Sequence, residues 1–161
     1  MVIVSIIGCD RFTGGYMAAK LAHERAALAG PIPVRILRAA QFHEFVVQLL
    51  DWGRENGASY VPRMRTQLVA ARAVGEVLAD LATEPAGRPG PGQIAEVAGP
   101  RVETLVDMAR LLAARRGDPT RVEERGDPAD PDGELLENGG LLPGPDAALR
   151  GPTFEEWLGS A

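Results

Sequence analysis

Apolar residues along this chain alternate between two rhythms. Residues 2–7 (Val-Ile-Val-Ser-Ile-Ile) are β-branched and almost continuously apolar, as in a strand buried on both faces of a parallel sheet. Beyond a loop over 8–15, residues 16–28 place Ala18, Ala19, Leu21, Ala22, Ala26, Ala27 and Leu28 on a helix-like run that stops at Gly30. Residues 32–37 read as a second strand with Pro33 near its start. Residues 42–52 read as a second helix, with Phe42, Phe45, Val46, Leu49 and Leu50 on one face. Strand, helix, strand, helix in this order predicts an α/β domain with a parallel sheet.

The rhythm continues less regularly. Residues 60–69 hold one or two short strands, and 70–82 form a helix. A turn-rich loop covers 84–93, followed by a short strand over 94–98. A helix over 102–115 turns Leu105, Met108, Ala109, Leu111 and Leu112 inward. Residues 126–146 are rich in Asp, Pro and Gly and show little periodicity, so a long mobile loop is expected there. A short amphipathic helix over 153–158 closes the chain, with Thr153 as N-cap and Glu156 as its capping-box partner. No internal repeat is present.

Composition narrows the class. At 161 residues and 45% hydrophobic content the chain is sized for one domain with a real core. Net charge is −5, and no basic block appears, which argues against nucleic acid as a partner. Arg115 and Arg116 end a helix, where cations suit the dipole. Cys9 is the single cysteine. It forbids an intrachain disulfide, fits a reducing compartment, and reads as a small core residue. The apolar opening is short and lacks a positive flank, so no signal peptide is expected. No apolar run reaches membrane-span length. The expected location is cytoplasmic, with no membrane partner. Two histidines and one distant cysteine make no structural zinc site, and the acidic stretch 123–137 lacks EF-hand spacing, so no metal is expected.

The candidate chemistry sits at the start of the first helix. Lys20 is the only lysine among 17 basic Lys and Arg residues, and it follows Tyr16 by one helical turn. A free phenol titrates roughly three units too high for a base at neutral pH. A fixed ammonium beside a phenol favours the phenolate. A hydroxyl from the neighbouring strand, here Ser5, could orient a substrate carbonyl against it. The trio suits proton transfer coupled to hydride transfer, and the competing reading of the spacing alone is a solvated pair. Arg38, at a strand end, could meet a phosphate, a carboxylate or a structural ion-pair partner. His43 reads as a polar helix-face residue near the substrate position, His23 as a surface residue, and Trp52 and Trp157 as packing anchors.

Two stretches carry a resemblance: Val4-Ser5-Ile6-Ile7-Gly8 with Gly15-Tyr16-Met17-Ala18-Ala19-Lys20, and Ile36-Leu37-Arg38-Ala39-Ala40-Gln41-Phe42. Together they resemble the short-chain dehydrogenase/reductase superfamily, and more narrowly its atypical NmrA-like NAD(P)-binding branch. The resemblance implies an NAD(P)-dependent oxidoreductase acting on a small-molecule substrate. It implies Tyr16 as acid/base, Lys20 on the nicotinamide ribose, Ser5 as the third catalytic residue, and Ala39, Ala40, Gln41 and Phe42 beside the cofactor. Gln67 to Val74, the segment around Ala98-Gly99-Pro100, and the closing Thr153-Phe-Glu-Glu-Trp-Leu158 also look like this branch.

The chain departs from that family where the glycine-rich dinucleotide fingerprint is concerned. The run from Gly87 to Gly92 is broken by prolines and follows a helix. The sequence thus resembles the C-terminal half of a Rossmann-like parallel sheet with flanking helices, plus a small mixed substrate-side lobe. Its expected divisions are 1–125 for the incomplete NAD(P)-binding domain, 126–151 for the loop and 152–161 for the final helix. Such a chain would be a truncated or mis-started reading of a longer protein, or a degenerate relative, and unlike a full-length enzyme it would be inactive alone. Its first strand would expose an apolar edge suited to self-association. The alternative functions are a non-catalytic dinucleotide sensor or partner-binding protein, and an inactive fragment.

Overall fold

A computed structural model describes residues 1–84, 94–119 and 121–160. In chain order, β1 (Val2–Ile6) leads through a single 3-10 turn at Cys9–Arg11 into α1 (Gly15–Ala29), β2 (Arg35–Ala39) and α2 (His43–Trp52). Then come β3 (Arg54–Glu55), β4 (Ala58–Pro62), β5 (Arg65–Thr66), α3 (Ala71–Thr83) and β6 (Ile94–Ala98). The chain ends with β7 (Glu103–Thr104), α4 (Leu105–Arg116), β8 (Arg121–Arg125), α5 (Gly133–Glu137), β9 (Ala148–Leu149) and α6 (Phe154–Ser160).

The main sheet has four strands in the order β1-β2-β6-β9, and all three pairings are parallel. This is the expected α/β architecture. In register, Val4 lies beside Leu37 and Ser5 beside Arg38. Because successive residues of a strand face opposite ways, Leu37 joins Val74 and Ala73 of α3 in one core, while Arg38 reaches Glu24 of α1. α1 and α3 therefore flank the sheet on opposite faces. A smaller lobe carries β3-β4-β8 and the two-stranded β5-β7 ladder. Its core gathers Val46 and Leu50 of α2, Val61 of β4, Leu105 and Leu112 of α4, and Phe154 of α6. Trp157 of α6 packs against both cores.

Several expectations are corrected in detail. The second strand starts later, at Arg35, because two prolines precede it and the Pro33 carbonyl is taken by the Met1 amino group at 2.8 Å. β8 was not anticipated: Arg-Val-Glu-Glu-Arg offers one buried residue, Val122, and is held by its parallel ladder to β4. The 126–146 stretch carries the short helix α5 rather than loop alone. The loop expected over 84–93 lies, beyond Glu84, outside the described residues. Trp52 is no packing anchor. It is 71% exposed, and its ring contact among the described residues is Phe45, edge-on with ring centres 5.9 Å apart. The capping box forms as expected, with Thr153 N donating to Glu156 Oε2 at 2.8 Å and Glu156 N to Thr153 Oγ1 at 3.2 Å.

α1 is attached unusually. Its one buried residue is Glu24, a carboxylate. Arg38 Nε and Nη2 grip Glu24 Oε1 and Oε2 at 2.9 and 2.8 Å, and Arg38 Nη1 reaches Asp10 Oδ1 at 2.8 Å. Burial by itself would raise the Glu24 carboxyl, but donation from Arg38, Ser5 and Cys9 outweighs it and holds the group below its usual range. Removing one member of such a buried pair leaves the other uncompensated. Glu24→Ala is expected to cost about 3–5 kcal/mol in urea unfolding at pH 7. The lowered carboxyl makes this stabilisation complete above the ordinary value of 4.5 and progressively lost as pH falls through the folded value. Glu24→Gln should therefore be less stable at neutral pH and show a flatter acid limb. An unchanged acid limb in Glu24→Gln would show that other groups govern it.

Candidate functional site

In a parallel α/β sheet, ligands bind outside the carboxyl ends of the strands. The candidate site residues lie on three elements: Ser5 on β1, Tyr16 and Lys20 on α1, and Ala39 to Phe42 at the end of β2 and just beyond it. Ser5 lies one residue before the end of β1 and is buried on the α1 side, its Oγ 3.8 Å from Cys9 Sγ. Cys9 Sγ in turn donates to Glu24 Oε1 at 3.3 Å. Burial first, then its bond to Glu24, pushes the Cys9 thiol up, so it stays a protonated core group. Arg38, which sequence left open between a phosphate and a carboxylate, is committed to the carboxylates of Glu24 and Asp10.

Tyr16 stands in the first turn of α1 and is 69% exposed. Among the described residues its phenol has no hydrogen-bond partner. Lys20, one turn on, donates from Nζ to the Val4 carbonyl at 2.9 Å. β1 ends the four-stranded sheet. The register leaves Val4 facing away from β2, so the lysine caps that open edge. The structure thus brings Lys20 to the strand that bears Ser5, but ties neither of them to Tyr16 by a hydrogen bond.

Ala39, Ala40, Gln41 and Phe42 run off the end of β2. Ala39 and Ala40 are buried, and Ala40 N donates to Val97 O at 2.9 Å. Gln41 Oε1 accepts from Thr66 Oγ1 at 2.7 Å, while its buried Nε2 has no hydrogen-bond partner among the described residues. Phe42 bridges to Val69 and packs on the α3-side core. His43 is fully buried rather than polar-faced. It forms a three-ring cluster with Phe154 and Trp157, which also touch each other, and its Nε2 sits 3.1 Å from Pro152 O.

Sequence reasoning missed the clasp on the loop that leads to Tyr16. Asp132, just before α5, accepts from Thr13 N at 3.0 Å and Gly14 N at 3.2 Å through Oδ2, and from Thr13 Oγ1 at 3.1 Å through Oδ1. At the other end of the loop, Arg11 Nη1 donates to Gly140 O at 3.2 Å. Gly8 has φ 75°, and a Cβ there would lie 2.2 Å from Gly140 O, so backbone meets backbone. The segment 126–151 is further tied to the sheet by Gly144 N to Glu96 Oε2 at 2.7 Å and Arg150 N to Ala98 O at 2.8 Å. No periodicity in the sequence could have signalled Asp132. Between this segment and β4 and β8 lies a cavity of about 630 Å³ bordered by Arg63, Met64, Arg125, Asp127 and Glu134. Among the described residues no group of three or more His, Cys, Asp or Glu could hold a metal, and no helix is long and apolar enough to cross a membrane.

No protein-family model matches the sequence, and no match is found among curated proteins. Solved structures do match. An NADPH-dependent quinone oxidoreductase from Escherichia coli superposes with a TM-score of 0.71 at 16% identity, over 99% of this chain and 66% of that one. The same oxidoreductase complexed with NADPH gives 0.69. A dTDP-glucose 4,6-dehydratase from Bacillus anthracis, in complex with NAD, gives 0.61 at 14% identity, over 99% of this chain and 59% of that one. The likeness is one of fold. The chain is Rossmann-like, and it spans roughly three-fifths to two-thirds of the length of these structures.

The clasp has a direct test. Asp132→Ala should accelerate amide exchange at Thr13 and Gly14 by about tenfold, the equivalent of one modest charge-assisted hydrogen bond. Trypsin should also cut faster after Arg11. Exchange unchanged at both amides would mean that the loop holds its shape without the carboxylate.

Proposed function

We propose that the chain is the nicotinamide-side part of an NAD(P)-dependent oxidoreductase of the short-chain, NmrA-like type, acting on a small-molecule substrate in the cytoplasm. The observation that carries this reading is the match of nearly the whole chain to the fold of an NADPH-dependent reductase, with Tyr16 and Lys20 opening the helix that follows an apolar strand. In this reading Tyr16 is the acid/base, Lys20 holds the nicotinamide ribose, and Ser5 orients the substrate oxygen. Ala39, Ala40, Gln41 and Phe42 border the nicotinamide.

The residues present fit that end of the cofactor. Among the described residues the Gln41 amide nitrogen has donors to spare, the Tyr16 phenol has no hydrogen-bond partner, and Lys20 is bonded to one backbone carbonyl. NAD(P), when bound, would supply or accept the hydride. The chain's part is to present a proton at the phenol oxygen, place the ammonium beside it, and keep Ala39 and Ala40 small so that the strand end is not blocked. Lys20 must leave Val4 O to serve there. The described residues hold no glycine-rich phosphate cradle of the dinucleotide type.

A non-catalytic dinucleotide-sensing or partner-binding role is the second reading. It is favoured by the commitment of Lys20 to Val4 O and of Ser5 to the buried Cys9–Glu24 cluster. Self-association through the open β1 edge is compatible with either role.

Calorimetry with NADPH and with NAD, run beside turnover with a quinone, separates the readings. The enzyme reading expects Tyr16→Phe to lower kcat by about 10²-fold or more with little effect on cofactor affinity, and Lys20→Met to weaken both. Cofactor binding with no turnover, indifferent to Tyr16→Phe, supports the sensor. Absence of binding to either dinucleotide defeats the enzyme and the dinucleotide sensor and leaves only the partner-binding form of the second reading.

A further inference from the structure

His43 is the most completely buried titratable ring of the molecule that the proposed chemistry does not use. It is the first residue of α2 and has no exposed surface. The Phe154 ring meets it edge-on and the Trp157 ring lies tilted against it, both with centres 5.4 Å away. A carbonyl can only accept, so the 3.1 Å contact with Pro152 O assigns the proton to Nε2. Nδ1 is then a bare lone pair, and it is buried without a hydrogen-bond partner among the described residues. A second proton would have to enter there, on a fully buried ring that forms a three-ring cluster with Phe154 and Trp157 and stands at the positive end of α2, with no acceptor in hydrogen-bond reach among the described residues.

The groups around this slot do not rescue such a charge. On α2, Glu44 is engaged with Ala71 N at 3.2 Å. On α6, Glu156 is held by Thr153 and Glu155 is exposed. On β7, Glu103 is half-buried near the Phe154 backbone, with Arg101 close enough to oppose its protonation. What depends on His43 is α6 itself, since Phe154 is fully buried in the smaller core and Trp157 touches both cores.

We propose that α6 is an acid-released latch: protonation of His43 at Nδ1 expels Phe154 and Trp157 from their seats and detaches the helix from both cores, while the parallel sheet stays folded. Release would also uncover Phe42, which leads from β2 into α2 and packs on the same core as Trp157. The latch therefore acts at the back of the Ala39–Phe42 strip, and it stands whether or not that strip binds a dinucleotide.

The electrostatics agree in sign. Burial, against the weaker pull of Pro152 O and Glu44, holds the imidazole below its ordinary 6.5. The docked state is thus fully favoured above that value and loses ground as pH falls through it. Glu103 works the other way. Burial raises it to about 6, so its charge disfavours docking as pH rises and acid relieves it.

Trp157 reports on the latch in a Trp52→Phe chain, where it is the remaining indole. Lowering pH from 8 to 5 should shift its emission reversibly to the red, starting below the ordinary imidazole value, while far-UV circular dichroism keeps most of its amplitude. His43→Gln, which retains a donor for Pro152 O but cannot gain a proton, should abolish the transition. His43→Phe, which fills the slot without a polar atom, should do the same. Glu103→Gln should leave the transition in place, freed of the carboxylate that opposes it. An unchanged transition in His43→Gln or His43→Phe overturns the proposal. So does a flat titration of the parent chain, or a shift that coincides with loss of the whole circular dichroism signal.

Discussion

The helix that carries Tyr16 and Lys20 is held to the sheet by charge. α1 brings a single buried side chain to the interface, and that side chain is Glu24. Its partner, Arg38, projects from the second strand with both donors of its fork satisfied. An apolar helix interface tolerates small rotations, because dispersion contacts are numerous and individually weak. A bidentate guanidinium–carboxylate pair does not, because two parallel hydrogen bonds fix orientation as well as distance. The azimuth of α1, and so the direction in which Tyr16 and Lys20 point, follows from one ion pair on the opposite side of the helix from solvent. Ser5 and Cys9 complete that cluster, which explains why the strand serine turns towards it.

This arrangement separates the two levels at which the sequence could be read. Long apolar runs announced the first two strands, and the helical spacing around Val46 and Leu50 announced the second helix, since each element buries one face and its period records that. The spacing of Tyr16 and Lys20 was legible for the same reason. The partner of Lys20 was not. It is the carbonyl of Val4, and a backbone acceptor leaves no mark in the sequence. The strand over Arg121–Arg125 was invisible because one apolar residue in five carries no period, and its ladder to the fourth strand is backbone as well. Asp132 was hidden for a topological reason: it serves Thr13 across a separation of 119 residues, and no local pattern encodes such a contact. His43 was misjudged because its neighbours Phe154 and Trp157 arrive from the far end of the chain.

The two lobes are not independent bodies. The sheet side and the smaller lobe have separate apolar cores, and each could in principle loosen alone. Trp157 is inserted between them from a helix of seven residues. Short helices are marginal without tertiary packing, so α6 depends on the cores as much as they depend on it. Its capping box and the His43 contact supply the rest of its anchorage. The last ten residues therefore contribute to cooperativity out of proportion to their length.

The meeting of Gly8 with Gly140 has a consequence for variation in this chain. A Cβ on Gly8 would strike the Gly140 carbonyl, and the positive φ of Gly8 disfavours a side chain by strain as well, while a Cβ on Gly140 would run into Leu135. The contact works like a weld between the first loop and a segment more than a hundred residues away. Between the weld and the Asp132 clasp the intervening chain has a set length, so insertions or deletions there would be transmitted to the loop that leads into α1. Natural length variation in the 126–151 segment should accordingly be sought outside that span, in the turn between Gly144 and Ala148, where the chain is free to change without disturbing the helix of Tyr16.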